Sequence, residues 1–156
     1  NLKVNPPLRT KTDVEALING LKEGVIDAIA TDHAPHALQD KITTLDDAAY
    51  GINGLETAFT LLLSLYNTGY IDIVSILDCL TIGPYNVINN SIEKPNGIKV
   101  GSSADLVLID LNANFLIKGS DFISKSKLTP LEGMEFKGKV VMTMANGSIV
   151  YKENNI

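Results

Sequence analysis

Val25-Ile26-Asp27-Ala28-Ile29-Ala30 runs straight into Thr31-Asp32-His33-Ala34-Pro35-His36, and this junction decides how the chain is read. The first half has no polar alternation beyond Asp27, the pattern of a strand covered on both faces, as in parallel sheets. The second half places an acid and two histidines where that strand ends. In barrels of alternating strands and helices, catalytic groups sit at strand ends, because the rigid sheet fixes them while the next loop opens onto the pocket. A structural reading stands beside this one. In it Asp32 caps the following turn, Pro35 stiffens it, and the histidines are simply hydrogen-bonded.

The chain has 156 residues, enough to bury a core as one medium domain or two small ones. A net charge of -5 argues against a general nucleic-acid binder, which needs a basic face to follow phosphates. An anionic ligand must therefore be held by local donors. The single Cys79 has no disulfide partner and lies among Ile73, Ile76, Leu77 and Leu80, so it reads as a reduced, packed thiol. Apolar stretches such as 58–65 are interrupted by Thr60 and Ser64 and are too short to span a bilayer. No leader pattern is legible, so the expected compartment is the cytoplasm. The chain opens at Asn1 on loop-like sequence and reads as a piece of something longer.

Around the junction, Thr12 offers an N-cap, Asp13 and Glu15 put charge in a first turn, and Val14, Leu17, Ile18 and Leu21 repeat at helical spacing up to Gly24. Helix then strand predicts an α/β unit. Residues 37–53 have no sustained period and read as a long loop over the pocket. Residues 54–67 carry Leu55, Ala58, Phe59, Leu62, Leu63 and Tyr66, a broad apolar helical face ended by Gly69. A second helix is expected over 72–80, then a break at 81–84 and a short turn through 85–89. After Pro95-Asn96-Gly97 the period changes to short strands at 98–100, 104–110, 115–118 and 139–144, and Asn146-Gly147 signals a hairpin within 145–151. The expected organisation is one unit over 1–90 and a β-unit over 91–156, with the boundary near 90–96.

Three separated motifs belong together: Asn5-Pro6-Pro7-Leu8-Arg9, Asp32-His33-Ala34-Pro35-His36, and Tyr50-Gly51-Ile52-Asn53-Gly54-Leu55-Glu56-Thr57. In this order they resemble the C-terminal part of the dihydroorotases of the amidohydrolase superfamily. Gly97-Ile98-Lys99-Val100-Gly101 and Ala104-Asp105-Leu106-Val107-Leu108 are similar to the returning β-segment of that superfamily. Ser124-Lys125-Ser126-Lys127-Leu128-Thr129-Pro130 and Gly147-Ser148-Ile149-Val150-Tyr151 are similar to later segments. The resemblance covers essentially the whole chain. It implies an α/β fold: the last strands and helices of a (β/α)8 TIM barrel with active-site loops over 1–90, and part of a small β-sandwich domain over 91–156.

The implied reaction is the reversible hydrolysis of the cyclic amide of (S)-dihydroorotate to N-carbamoyl-L-aspartate, a step of pyrimidine biosynthesis. Water attacks amides poorly, and zinc, one ion or two, is the implied cofactor, lowering the pKa of bound water toward about 7. A carboxylate then takes the water's proton and returns it to the leaving nitrogen. The resemblance assigns this role, and one metal bond, to Asp32. It assigns the substrate carboxylate to Asn5 and His36, and the ring to backbone groups of Tyr50 and Gly51, where glycine allows close approach. The ordinary readings are a loop-forming Asn before Pro for Asn5, a surface-loop histidine for His36 and a packing role for Tyr50. His33 neighbours Asp32 on extended chain and points the other way, so it reads as a packing or supporting residue. Arg9 is expected to pair with a loop carboxylate or helix end, and the charge of Glu56 to complement a helix dipole.

In the enzymes that the chain resembles, a His-x-His pair, further His ligands, a metal-bridging residue and a substrate-gripping Arg come from earlier barrel strands. With two histidines in all, this chain is expected to be inactive and to hold zinc weakly by itself. Strand 25–30 would expose both edges, so the chain is expected to associate with a missing N-terminal part or with itself. Two other functions are weighed: a noncatalytic scaffold for aspartate transcarbamoylase, and a hydantoinase- or allantoinase-like hydrolase. Neither nucleic acid nor membrane is an expected partner.

Overall fold

A computed structural model describes residues 2–88 and 97–153. Helix α1 (Lys11–Lys22) starts from Thr10, two residues before the expected cap. The Thr10 hydroxyl accepts the Asp13 N–H at 3.3 Å while the Asp13 carboxylate accepts the Thr10 N–H at 3.0 Å. This capping box satisfies two donors that the first turn leaves orphaned. Of the expected apolar stripe Ile18 is buried, whereas Val14 and Leu17 stay exposed.

The segment expected as a core strand, 25–30, forms no ladder among the described residues, and Val25 is 71% exposed. A strand needs the backbone groups of a neighbour, and here helices lie alongside instead. The Ile29 N–H donates to the Cys79 carbonyl at 3.0 Å, and the Cys79 thiol donates to the Ile26 carbonyl. The parallel pairing that does occur among the described residues is a single bridge, His33 with Ile52.

Within the expected long loop lies a single helical turn, α2 (Leu38–Lys41). Helix α3 (Ala58–Asn67) starts four residues later than expected, after a turn at 55–57, and α4 (Ile73–Leu80) forms where periodicity places it. The turn expected after α4 is instead helix α5 (Ile82–Val87), which contains Pro84. Pro84 is the third residue of that helix, where the missing N–H has no intrahelical partner to lose. Leu63 and Ile76 are fully buried at the centre of this helical layer, with Cys79 and Tyr85 beside them.

Strands β1 (Leu106–Leu116), β2 (Glu135–Ala145) and β3 (Ser148–Lys152) make an antiparallel sheet in the order β1-β2-β3, and α3 packs on β2. The two strands expected at 104–110 and 115–118 are one. Its register shifts between Asp110 and Asn114, where Asp110 Oδ1 accepts the N–H groups of Asn112 and Ala113, so a bulge replaces the expected break. The β2–β3 turn is Asn146-Gly147, both at positive φ, as a two-residue hairpin demands. Residues 98–100, expected as a strand, pair with nothing in the sheet. The boundary near 90–96 falls outside the described residues. No helix among them is long and apolar enough to cross a membrane.

Two caps make acid sensitivity predictable. The Asp13 carboxyl is held below its ordinary value by the hydroxyl and N–H of Thr10, and the Asp72 carboxyl by those of Ser75 at the start of α4. A carboxyl whose folded value is depressed adds stability above its unfolded value, 3.8 for these groups, and loses it as pH falls through the folded value. Circular dichroism followed from pH 5 downward should therefore show helix loss beginning below about pH 4. An Asp13→Asn/Asp72→Asn double variant should lose less on acidification, and identical titration curves would contradict this.

Candidate active site

Asp32 stands at φ 43°, in the left-handed region that non-glycine residues rarely occupy. Such strain persists only where the surroundings enforce it, and it concentrates at functional positions. Its carboxylate is exposed and takes no hydrogen bond or ion pair among the described residues, so the capping reading finds no bond to support it. Asp32 lines a cavity of about 350 Å³ together with Val4, Asn5, Thr31, Tyr50 and Gly51 among others. Four of the five expected site residues thus share one hollow, although 45 positions separate Asn5 from Tyr50 in sequence.

His36 lies behind the Tyr50-Gly51 turn. Its Nε2 is 2.7 Å from the Tyr50 carbonyl and so carries the hydrogen that it donates there. Gly51 holds φ 124°, and a Cβ at this position would stand 2.5 Å from the Ala34 Cβ, so glycine is required. The Gly51 N–H donates to the Lys3 carbonyl at 2.9 Å, and its own carbonyl accepts from Lys41 Nζ at 2.8 Å. The backbone group that Gly51 can offer a ligand is therefore its carbonyl's second lone pair.

His33 Nδ1 accepts the Leu55 N–H at 3.1 Å, which puts its hydrogen on Nε2 and leaves no free lone pair for a metal. It supports the turn after the pocket. Arg9 pairs with Asp13 at 3.4 Å on the first turn of α1. Glu56, expected to serve the helix dipole, turns away: its carboxylate accepts the N–H groups of Ile123 at 2.8 Å and Ser124 at 3.0 Å. The buried Asn53 donates to the Ser126 carbonyl at 3.1 Å, so these two residues fasten the 123–126 segment beside His36. Glu56 and Asn53 were legible only as parts of a motif, because their partners lie about seventy positions away.

Among the described residues no three His, Cys, Asp or Glu side chains converge to hold a metal ion. Asp32 offers one carboxylate, the accepting nitrogen of His33 is taken by Leu55, and His36 is held through Nε2 by Tyr50. The residues present do not by themselves fit a zinc site, which takes several prepositioned ligands. A larger hollow of about 710 Å³ lies between Leu2, Lys3, Lys41, Thr129 and Glu132, but its cations already donate to backbone carbonyls.

The model of the amidohydrolase family matches residues 4–150. This chain belongs to the amidohydrolase family. Among its amidohydrolase relatives, the dihydroorotase of Thermoanaerobacter sp. (strain X514) is 48% identical over 99% of the chain, and that of Shouchella clausii is 46% identical over all of it. The chain spans about 35% of the length of these relatives. Among solved amidohydrolase structures, an L-hydantoinase (dihydropyrimidinase) from Arthrobacter aurescens superposes with TM-score 0.87 at 30% identity, over 99% of this chain and 35% of that one. A D-hydantoinase from Thermus sp. gives TM-score 0.84 at 26% identity, over 97% of this chain and 34% of that one.

Proposed function

We propose that the chain works as the C-terminal part of a zinc-dependent dihydroorotase, opening and closing the cyclic amide of dihydroorotate. The observation that carries this is Asp32, strained in its backbone and with a carboxylate unpartnered among the described residues, sharing one cavity with Asn5, Tyr50 and Gly51. Identities of 46–48% to dihydroorotases, against 30% to the L-hydantoinase, favour dihydroorotate over hydantoins as substrate.

In this reading Asp32 takes the proton of the attacking water and hands it to the ring nitrogen as the amide C–N bond breaks. Asn5 donates its amide N–H to the substrate carboxylate. His36, whose Nε2–H already holds the Tyr50 carbonyl, grips that carboxylate through Nδ1 when the ring carries both hydrogens. Zinc would take one oxygen from Asp32 and polarise the attacking water, and the described residues do not complete its site. The remaining ligands and the neighbours of 25–30 belong, in this proposal, to the rest of a (β/α)8 barrel preceding residue 1, with residues 91–156 in a small β-sandwich. Cytoplasmic location follows from the same reading.

Assay of the intact parent protein on dihydroorotate and on hydantoin in parallel tests the proposal. Turnover of the first and not the second is expected, and the reverse would overturn it. His36→Ala should raise KM for dihydroorotate roughly 10- to 100-fold, the worth of one charge-assisted hydrogen bond, and leave kcat within about threefold. An unchanged KM would remove His36 from the binding site.

A further inference from the structure

Lys41 sits in the polar stretch after the Asp-His-Ala-Pro-His motif, where a lysine is ordinarily solvated. Here its ammonium is half-buried and turned inward. It donates to the carbonyls of Ala49 at 2.8 Å and Gly51 at 2.8 Å, and lies 3.5 Å from that of Lys3. An ammonium has three N–H donors and no acceptor, and three carbonyls meet it. No carboxylate pairs with it among the described residues. A charge withdrawn from water without a counter-ion is costly unless every donor is satisfied, so the three carbonyls are what keep it there.

Those carbonyls belong to the two segments that carry the Asn5 and Tyr50-Gly51 walls of the cavity. Lys3 precedes Asn5 by two positions, and Ala49 and Gly51 flank Tyr50. The Gly51 N–H bonds the Lys3 carbonyl directly, and the Ala49 N–H bonds the Asp40 carbonyl beside Lys41. We propose that Lys41 is a positioning residue: its ammonium ties the Asn5 segment to the Tyr50-Gly51 turn and so sets the width of the substrate cavity. It touches no reacting atom. This inference rests on the reading of that cavity as the dihydroorotate site, and its first test needs no substrate.

The test is amide hydrogen exchange by mass spectrometry on the intact parent protein, comparing wild type with Lys41→Met and Lys41→Arg. Peptides covering 44–53 are read against peptides from β2. In Lys41→Met, exchange over 48–51 should rise about tenfold or more with β2 unchanged. Lys41→Arg should fall between, because a planar guanidinium supplies donors but cannot aim three of them at one converging set of carbonyls. Unchanged exchange over 48–51 overturns the proposal, and so does a uniform rise that includes β2, which would make Lys41 a general stabiliser. Should Lys41→Met fail to fold, Lys41→Arg decides by the same comparison. In turnover, Lys41→Arg should raise KM for dihydroorotate several-fold with kcat within about threefold, whereas a lower kcat at constant KM overturns the positioning role. A failure of the substrate assignment shows in the kinetics alone, since exchange is measured without ligand.

Discussion

If the proposed reading holds, Asp32→Asn in the intact parent protein is expected to lower kcat on dihydroorotate by roughly 10²- to 10⁴-fold, the range that a positioned general acid-base supplies. Asparagine is the informative replacement. It tolerates positive φ at least as well as aspartate does, so the turn at φ 43° survives, while the group that accepts and returns the proton is gone. KM should change little, because Asn5 and His36 hold the substrate carboxylate in this reading. An unchanged melting temperature would show that the loss is chemical and not structural. A kcat within tenfold of wild type would remove Asp32 from the reaction.

The second large effect concerns folding. Gly83→Ala on α5 should prevent stable folding, costing more than about 4 kcal/mol, the range reached by overpacking that nothing can relieve. A Cβ at Gly83 would stand 1.8 Å from the Asp27 carbonyl oxygen and 3.0 Å from that of Asp78. Both obstacles are backbone, so no rotamer change makes room. The clash lies where 25–30 rests against the helices, the segment that delivers Asp32 to its cavity. Urea unfolding of the purified variant measures this directly. A transition midpoint equal to that of wild type would show that the two segments can separate cheaply.

Helices α3 and α4 were legible because apolar residues at helical spacing require one buried face whatever that face meets, as Leu63 and Ile76 do. The Asn146-Gly147 hairpin was legible because its turn geometry belongs to those two residues alone. The start of α1 was misplaced by two residues, since Thr10 and Thr12 are equally good caps locally and Asp13 decides between them. Helix α5 was hidden by Pro84, which marks a break in every position but the first turn.

The candidate site divides in the same way. Short motifs, each a local pattern of residue types, propose Asp32, Asn5, His36, Tyr50 and Gly51 as its members, and four of them line one cavity. Which backbone groups remain free for a ligand depends on partners far away in sequence. The Gly51 N–H is taken by Lys3, the His36 Nε2–H by Tyr50, and the carboxylate of Glu56 by the 123–124 backbone.

The sequence by itself determined the helical periods and the Asn146-Gly147 hairpin, because each depends on neighbours within a few positions, and its motifs proposed the candidate site residues through their resemblance to the family. Only the tertiary structure decided that 25–30 lies against helices without a ladder among the described residues, that Lys41 gathers carbonyls from the segments carrying both cavity walls, and that Glu56 and Asn53 fasten the 123–126 segment beside His36. A hydrogen bond is fixed by distance in space, and a lysine or glutamate side chain carries no local mark of the backbone group it will find.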